Sequence, residues 1–222
     1  MSRQLRVAIV GAGPAGVYAA DILTKNEDLD VLVDVLDRDP TPFGLIRYGV
    51  APDHPRIKEI IKALKRVMSN ERIRFYGNVN VGADIKLEEL RDFYDAIIFA
   101  TGARRDRELN IPGVDLHGSY GAADFVYWYD GHPDVSRDWD FQPHAKEVAV
   151  LGVGNVGLDI ARILAKTAEE LLVTEIPDNV YEGLKKNATT DVHVFARRGP
   201  AQVKFTPREL RELSHSPNID VV

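Results

Sequence analysis

Cysteine is absent from the sequence. That excludes a disulfide framework, leaves the redox compartment unmarked, and rules out electron transfer through a redox-active C-x-x-C pair. No apolar run approaches the roughly 20 residues needed to cross a bilayer. Strand-like sequence begins within a few residues of Met1 and leaves no room for a leader peptide, so a cytoplasmic protein without a membrane span is expected. Basic residues are not in excess: 28 Lys and Arg stand against 34 Asp and Glu, a formal net charge of −6. This argues against a general nucleic-acid-binding face, which is usually basic. The six histidines and the acids show no metal-ligand spacing, and no metal is expected. An apolar share of 45% and a charged share of 28% are ordinary for a globular chain of one to two domains.

What the sequence does contain is one pattern written twice. Residues 7–23, VAIVGAGPAGVYAADIL, run from a short apolar strand through G-x-G-x-x-G into a helix, and residues 148–164, VAVLGVGNVGLDIARIL, repeat the design. Gly152, Gly154 and Gly157 repeat the roles of Gly11, Gly13 and Gly16. The first glycine of such a turn permits a tight bend, the second lets the backbone approach a pyrophosphate, and the third lets helix pack on strand. The helix N-terminus then offers free N–H groups and a positive dipole end to the phosphates.

The two cradles end differently. After the first, VLVDVLD closes a second strand at Asp37, 21 residues beyond Gly16, where a carboxylate meets the hydroxyls of an unphosphorylated ribose. After the second, DVHVFARRGP places Arg197 and Arg198 at the corresponding point, and paired guanidinium groups suit a 2′-phosphate. The plain alternatives are a structural glycine turn and a surface turn with solvated arginines. Taken together, the two ends point to FAD at the first cradle and NADP(H) at the second, a pairing suited to hydride transfer between two rings.

The expected class is α/β: two Rossmann-like dinucleotide-binding domains with parallel sheets flanked by helices, an FAD-binding domain over 1–104 and an NADP-binding domain over 105–222, incomplete at its C-terminus. Expected strands cover 5–10, 31–37, 73–81 and 94–103. Helices are expected at 14–23 and 56–68, with loop-like sequence from about Ala103 to 146. The second βα unit spans 147–166, and a short helix falls within 167–190.

The runs VDVLDRDPTPFGLIRYGVAPDHPRIK, RFYGNVNVG, IPGVDLHG, GVGNVGLDIARIL and RRGPAQVKFTPRELREL occur in this order and resemble the adrenodoxin-reductase-like ferredoxin–NADP(+) reductases along essentially the whole chain. The more distant glutamate-synthase small subunits share the layout and match less well in the first and last runs. The resemblance implies a flavin-dependent oxidoreductase that passes a hydride from NADPH to FAD and single electrons to a ferredoxin-type iron–sulfur protein. It implies Gly11, Gly13 and Ala15 along the FAD pyrophosphate, Asp37 on the adenosine ribose, and Leu45 and Val81 beside the flavin nucleotide. For NADP(H) it implies Val153, Gly154, Asn155 and Val156 at the pyrophosphate, Arg197 and Arg198 at the 2′-phosphate, and Glu209 on the ribose side. His54 and Glu212 match positions where a proton route would run, although His54 serves equally to hold the loop between Pro52 and Pro55.

Family members are about twice as long, so this stretch alone is expected to hold FAD weakly. Two other readings stand beside the reductase: an electron-input subunit of the glutamate-synthase type, and a nucleotide-binding module without turnover. Lys204, Arg208 and Arg211 lie close together in an acidic chain and form a candidate face for an acidic ferredoxin. The bland alternative is a solvated helix with Arg208 and Glu212 paired at i, i+4.

Overall fold

The computed structural model describes residues 3–107 and 109–222. The chain divides into two compact units. The first comprises residues up to Val50 together with His54–Arg104, and the second comprises Ala51–Asp53 with Arg105–Val222. Both are α/β with parallel strands.

In the first unit the order is β1 (Leu5–Val10), α1 (Pro14–Lys25), β2 (Val31–Leu36), α2 (Leu45–Tyr48), α3 (Pro55–Lys58), α4 (Ile60–Met68), β3 (Ile73–Tyr76), α5 (Leu87–Phe93) and β4 (Ala96–Phe99). The sheet runs β3-β2-β1-β4, and every pair is parallel. The register pairs Val7 with Val33 and with Ala96, so apolar runs stack side by side; β1 and β2 are largely buried, whereas Ala96 and Phe99 of β4 are exposed. Val7, Ile9, Val31, Val33, Val35 and Ile73 form its core, closed on one side by Ala20 of α1. Each such side chain contributes about 2 kcal/mol by leaving water. α1 opens on Pro14, whose fixed φ suits a first helical position and whose missing N–H costs nothing there. The order of the strands reverses between β1 and β4, and the carboxyl ends of these two strands mark the switch point where ligands of open α/β sheets bind.

Three expected elements of this unit differ, the strand expected over 94–103 being confined to β4. The helix expected over 56–68 is broken at Glu59 into α3 and α4. The strand expected over 73–81 stops at Tyr76, because Gly77 is pressed against the Pro40 carbonyl and Asn78 turns the chain at φ 56°.

In the second unit come α6 (Ala122–Tyr129), β5 (Glu147–Leu151), α7 (Asn155–Ala165), α8 (Ala168–Leu171), α9 (Asp178–Leu184), β6 (Asp191–Phe195) and α10 (Pro207–Leu213). β5 and β6 pair in parallel, Ala149 opposite His193. The run DFVYWYDGHP, expected to be loop, is mostly helix α6. Its Phe125, Trp128 and Tyr129 pack with Ile163, Leu171 and Val180 into the core of this unit. Phe125 stacks on Trp128 with centroids 5.6 Å apart and meets Tyr129 edge-on at 5.5 Å. Between β5 and β6 the single short helix expected resolves into α8 and α9. α8 starts on a capping box in which Thr167 and Glu170 exchange hydrogen bonds. Among the described residues no helix is long and apolar enough to cross a membrane.

Candidate functional site: two glycine cradles

Each unit has its own turn from its first strand to the helix that follows it, and the two turns agree in detail. Gly11 has φ +112° and Gly152 φ +135°, backbone that a side chain rarely tolerates. The N–H of Gly11 donates to the Leu36 carbonyl at 2.7 Å, and that of Gly152 to the Phe195 carbonyl at 3.0 Å, tying each turn to the end of the neighbouring strand. A Cβ on Gly16 would stand 1.9 Å from the Gly11 carbonyl oxygen, and one on Gly157 2.3 Å from that of Gly152. Both third glycines therefore let the helix press onto its own turn.

At Gly13 and Gly154, by contrast, a Cβ would meet nothing within 4 Å. These are the positions where the backbone lies open to an incoming group, and both are the residue just before helical N–H groups. Such a cradle fits a pyrophosphate. Ala15 is exposed on the first turn of α1, and Val153, Asn155 and Val156 line the start of α7. Asn155 also holds two helices in place, because its Oδ1 accepts the Thr206 N–H at 3.0 Å and so joins the start of α10 to the start of α7.

Asp37 stands one residue past β2 and is buried. Its Oδ2 accepts the Ala12 N–H at 2.6 Å and its Oδ1 the Asp39 N–H at 2.9 Å. Arg104, from the segment beyond β4, adds Nη2 at 3.3 Å from Asp37 Oδ1 and a bidentate pair on Asp39 at 2.8 and 2.7 Å. Leu45 opens α2 directly after Gly44 and is exposed, and Val81 is half-buried in an isolated bridge to Ile85. His54 is buried at the start of α3, where its carbonyl accepts the N–H groups of Ile57 and Lys58.

In the second unit Arg197 and Arg198 are exposed beyond β6, and among the described residues neither is drawn into an ion pair. Glu209 is buried on α10, its Oε2 3.7 Å from Arg162 Nη1. Glu212 is paired with Arg208, Oε1 to Nε at 2.8 Å, so the i, i+4 pairing weighed from the sequence is formed. Lys204 and Arg211 remain exposed nearby.

Among the ionic groups on buried acids that sequence reading missed, two involve Arg104 and Arg162. One is the Arg104 pairing with Asp37 and Asp39. The other is Arg162, whose guanidinium is fully buried between Asp53 and Asp159. An arginine inside the apolar run IARIL was the one local sign of the second.

Paired glycine turns of this geometry on parallel sheets are the form of a dinucleotide-binding α/β class. The chain matches the pyridine nucleotide-disulphide oxidoreductase family over residues 5–199 and belongs to it. Lacking cysteine, it carries no disulphide chemistry of its own.

The chain is 46% identical over 220 residues to the mitochondrial NADPH:adrenodoxin oxidoreductase of Arabidopsis thaliana, covering 99% of this chain and 45% of that protein. It is 47% identical over 224 residues to NADPH-ferredoxin reductase FprA of Mycobacterium tuberculosis, with 99% and 49% covered. The solved structure of that FprA in complex with NADPH superposes with a TM-score of 0.91 at 46% identity, covering 98% of this chain and 49% of that one. The chain thus spans about half the length of the curated relatives it matches.

Proposed function

We propose that this chain forms the two nucleotide-binding parts of an NADPH-dependent ferredoxin-type reductase, an FAD-binding domain over 1–104 and an NADP-binding domain over 105–222, both Rossmann-like. The observation that carries the reading is the pair of matched cradles with opposite ribose ends: a buried carboxylate after the first and two exposed guanidinium groups after the second. FAD, when bound, supplies the ability to take two electrons together and release them singly.

The chain's own residues bind and orient. In this reading Gly11, Gly13 and Ala15 carry the FAD pyrophosphate on the N-terminus of α1, and Asp37 takes the adenosine hydroxyls. Leu45 and Val81 flank the flavin nucleotide. Gly152, Val153, Gly154, Asn155 and Val156 carry the NADPH pyrophosphate on α7, Arg197 and Arg198 take the 2′-phosphate, and Glu209 stands on the ribose side. His54 and Glu212 are the groups that hold or move a proton, at the imidazole and the carboxylate. Lys204 and Arg211, with Arg208 partly neutralised by Glu212, offer an iron–sulfur protein of acidic surface a basic face. The relatives' names, adrenodoxin and ferredoxin reductases, support that partner class.

The test is nucleotide choice in the FAD-loaded protein. NADPH is expected to bleach the flavin faster than NADH. The double variant Arg197→Ala, Arg198→Ala should weaken NADPH far more than NADH, since each charge-assisted hydrogen bond contributes roughly 1.5–3 kcal/mol. Equal losses for both nucleotides would count against the assignment.

A further inference from the structure

FAD and NADPH share an ADP moiety, so a chain with two cradles has to sort its ligands at the adenosine ribose. At such a site a carboxylate selects the bare diol, whereas an arginine nearby accommodates a 2′-phosphate. The first cradle holds both kinds of group. Arg104 Nη2 lies 3.3 Å from Oδ1 of Asp37, the acid expected to read the ribose. Left to itself, that guanidinium would invite a phosphorylated ribose into the wrong cradle.

It is not left to itself. Asp39, 4% exposed, accepts Nη1 on Oδ1 at 2.8 Å and Nη2 on Oδ2 at 2.7 Å, the fork geometry that a phosphate would otherwise engage. The same carboxylate also draws Arg38, whose Nε is 3.8 Å from Oδ1. The Asp39 N–H donates to Asp37 Oδ1 at 2.9 Å, so the two acids are held as one rigid group. The second cradle has the opposite arrangement, with Arg197 and Arg198 exposed and outside any ion pair among the described residues.

We propose that Asp39 is a specificity-determining residue: by holding the Arg104 fork it closes the first cradle to nucleotides with a 2′-phosphate. The inference rests on the reading that Asp37 faces the adenosine ribose of FAD. Asp37 alone leaves the selection incomplete, because the diol-reading acid has a cation beside it, and Asp39 completes it.

The experiment uses the 222-residue chain carrying Arg197→Ala and Arg198→Ala, which removes the phosphate determinants of the second cradle. Calorimetry then compares ADP-ribose with 2′-phospho-ADP-ribose. ADP-ribose is expected to bind better, and Asp39→Asn to narrow that preference by about tenfold or more, the contribution of one charge-assisted fork. Adding Arg104→Met to Asp39→Asn should restore the preference. Asp39→Ser carries the same expectation if the asparagine variant does not fold, as read by circular dichroism. ADP-ribose binding with an unchanged ratio, or a narrowing that survives Arg104→Met, overturns the inference alone. Absence of ADP-ribose binding, or binding indifferent to Asp37→Asn, overturns the reading of the first cradle and the inference with it.

Discussion

Arg162 closes a bidentate pair on Asp53, Nε to Oδ2 at 2.7 Å and Nη2 to Oδ1 at 2.8 Å, across 109 residues of sequence. Nη2 also reaches Asp159 Oδ1 at 2.8 Å, and Lys166 Nζ reaches Asp53 Oδ2 at 2.8 Å. Burial alone would push the Asp53 carboxyl up, but Arg162 and Lys166 outweigh it and hold it well below the usual carboxylate range. Burial likewise opposes the Arg162 charge, and Asp53 and Asp159 more than restore it.

Arg162→Met removes the buried guanidinium but leaves Lys166 on Asp53, so the cost should fall at or below the roughly 3–5 kcal/mol typical of breaking a buried pair. Both tryptophans, Trp128 and Trp139, lie in the same unit as the pair, so denaturant unfolding followed by fluorescence reads this unit alone. The pH dependence has a definite sign. Because the folded value of Asp53 is lowered, its contribution is fully present above the unfolded value of about 4 and is lost as pH falls through the folded one. The parent chain should lose stability on that acid limb, and the variant should lose less. A variant as stable as the parent at neutral pH would show that the cluster contributes nothing.

The first cradle separates two glycines by what each is needed for. Gly16→Ala places a methyl group 1.9 Å from the Gly11 carbonyl oxygen, a backbone atom that cannot rotate aside. The clash should cost about 1–3 kcal/mol, more than the roughly 1 kcal/mol that alanine gains over glycine in a helix. Gly13→Ala meets no atom within 4 Å and has φ −70°, so the chain should fold as the parent does. It should nevertheless bind FAD poorly, because the methyl group fills the approach of the pyrophosphate. Calorimetric melting and nucleotide titration of both variants check this. The reverse result, an unstable Gly13→Ala and a stable Gly16→Ala, would mean that the roles are misassigned.

Much of this arrangement was legible in the sequence because it is local. A glycine turn is written within six residues, and its flanking strand and helix follow from apolar runs and from Pro14. What was not legible is what only packing decides. The aromatic run of α6 has middling helix propensity and is followed by Gly131 and Pro133, so it reads as loop. Burial of Phe125, Trp128 and Tyr129 makes it helix. Arg104 and Arg162 find their acids 65 and 109 residues away, separations at which no spacing rule operates. The acid expected on the ribose was found by its place at a strand end, while its neighbour Asp39 carried no such mark.

Asp34 interrupts the apolar strand β2, and its burial is offset by three donors: Arg74 Nε at 2.7 Å, Arg74 Nη2 at 2.9 Å and the Tyr94 hydroxyl at 2.8 Å. Burial first, and then the hydrogen bond to Asp34, push the Tyr94 phenol up to about 12. Since the folded value is raised, the stabilisation is complete below the unfolded value of about 10 and is lost as pH rises towards 12. Tyr94→Phe should cost about 1 kcal/mol at neutral pH, discounted for the ring's partial exposure. It should also remove one step near 12 from the alkaline phenolate absorbance titration, apart from that of Tyr129, which burial raises as well. Retention of that step in the variant would assign it to another tyrosine.

In the proposed reading, the basic face near α10 would steer a partner with two charges rather than three. Arg208 is committed to Glu212 at 2.8 Å, whereas Lys204 and Arg211 are exposed. In a chain with net charge −6, a local positive face orients an acidic partner before contact and raises the association rate without adding much to the bound state. Arg211→Glu is therefore expected to slow reduction of a ferredoxin-type acceptor at low ionic strength, by roughly threefold to tenfold, with dye reduction unchanged. The difference should shrink as salt rises, because the screening length falls from about 10 Å at 0.1 M to about 3 Å at 1 M. If Arg211→Glu leaves ferredoxin reduction untouched at low salt, this face is ordinary solvated surface and the partner docks elsewhere.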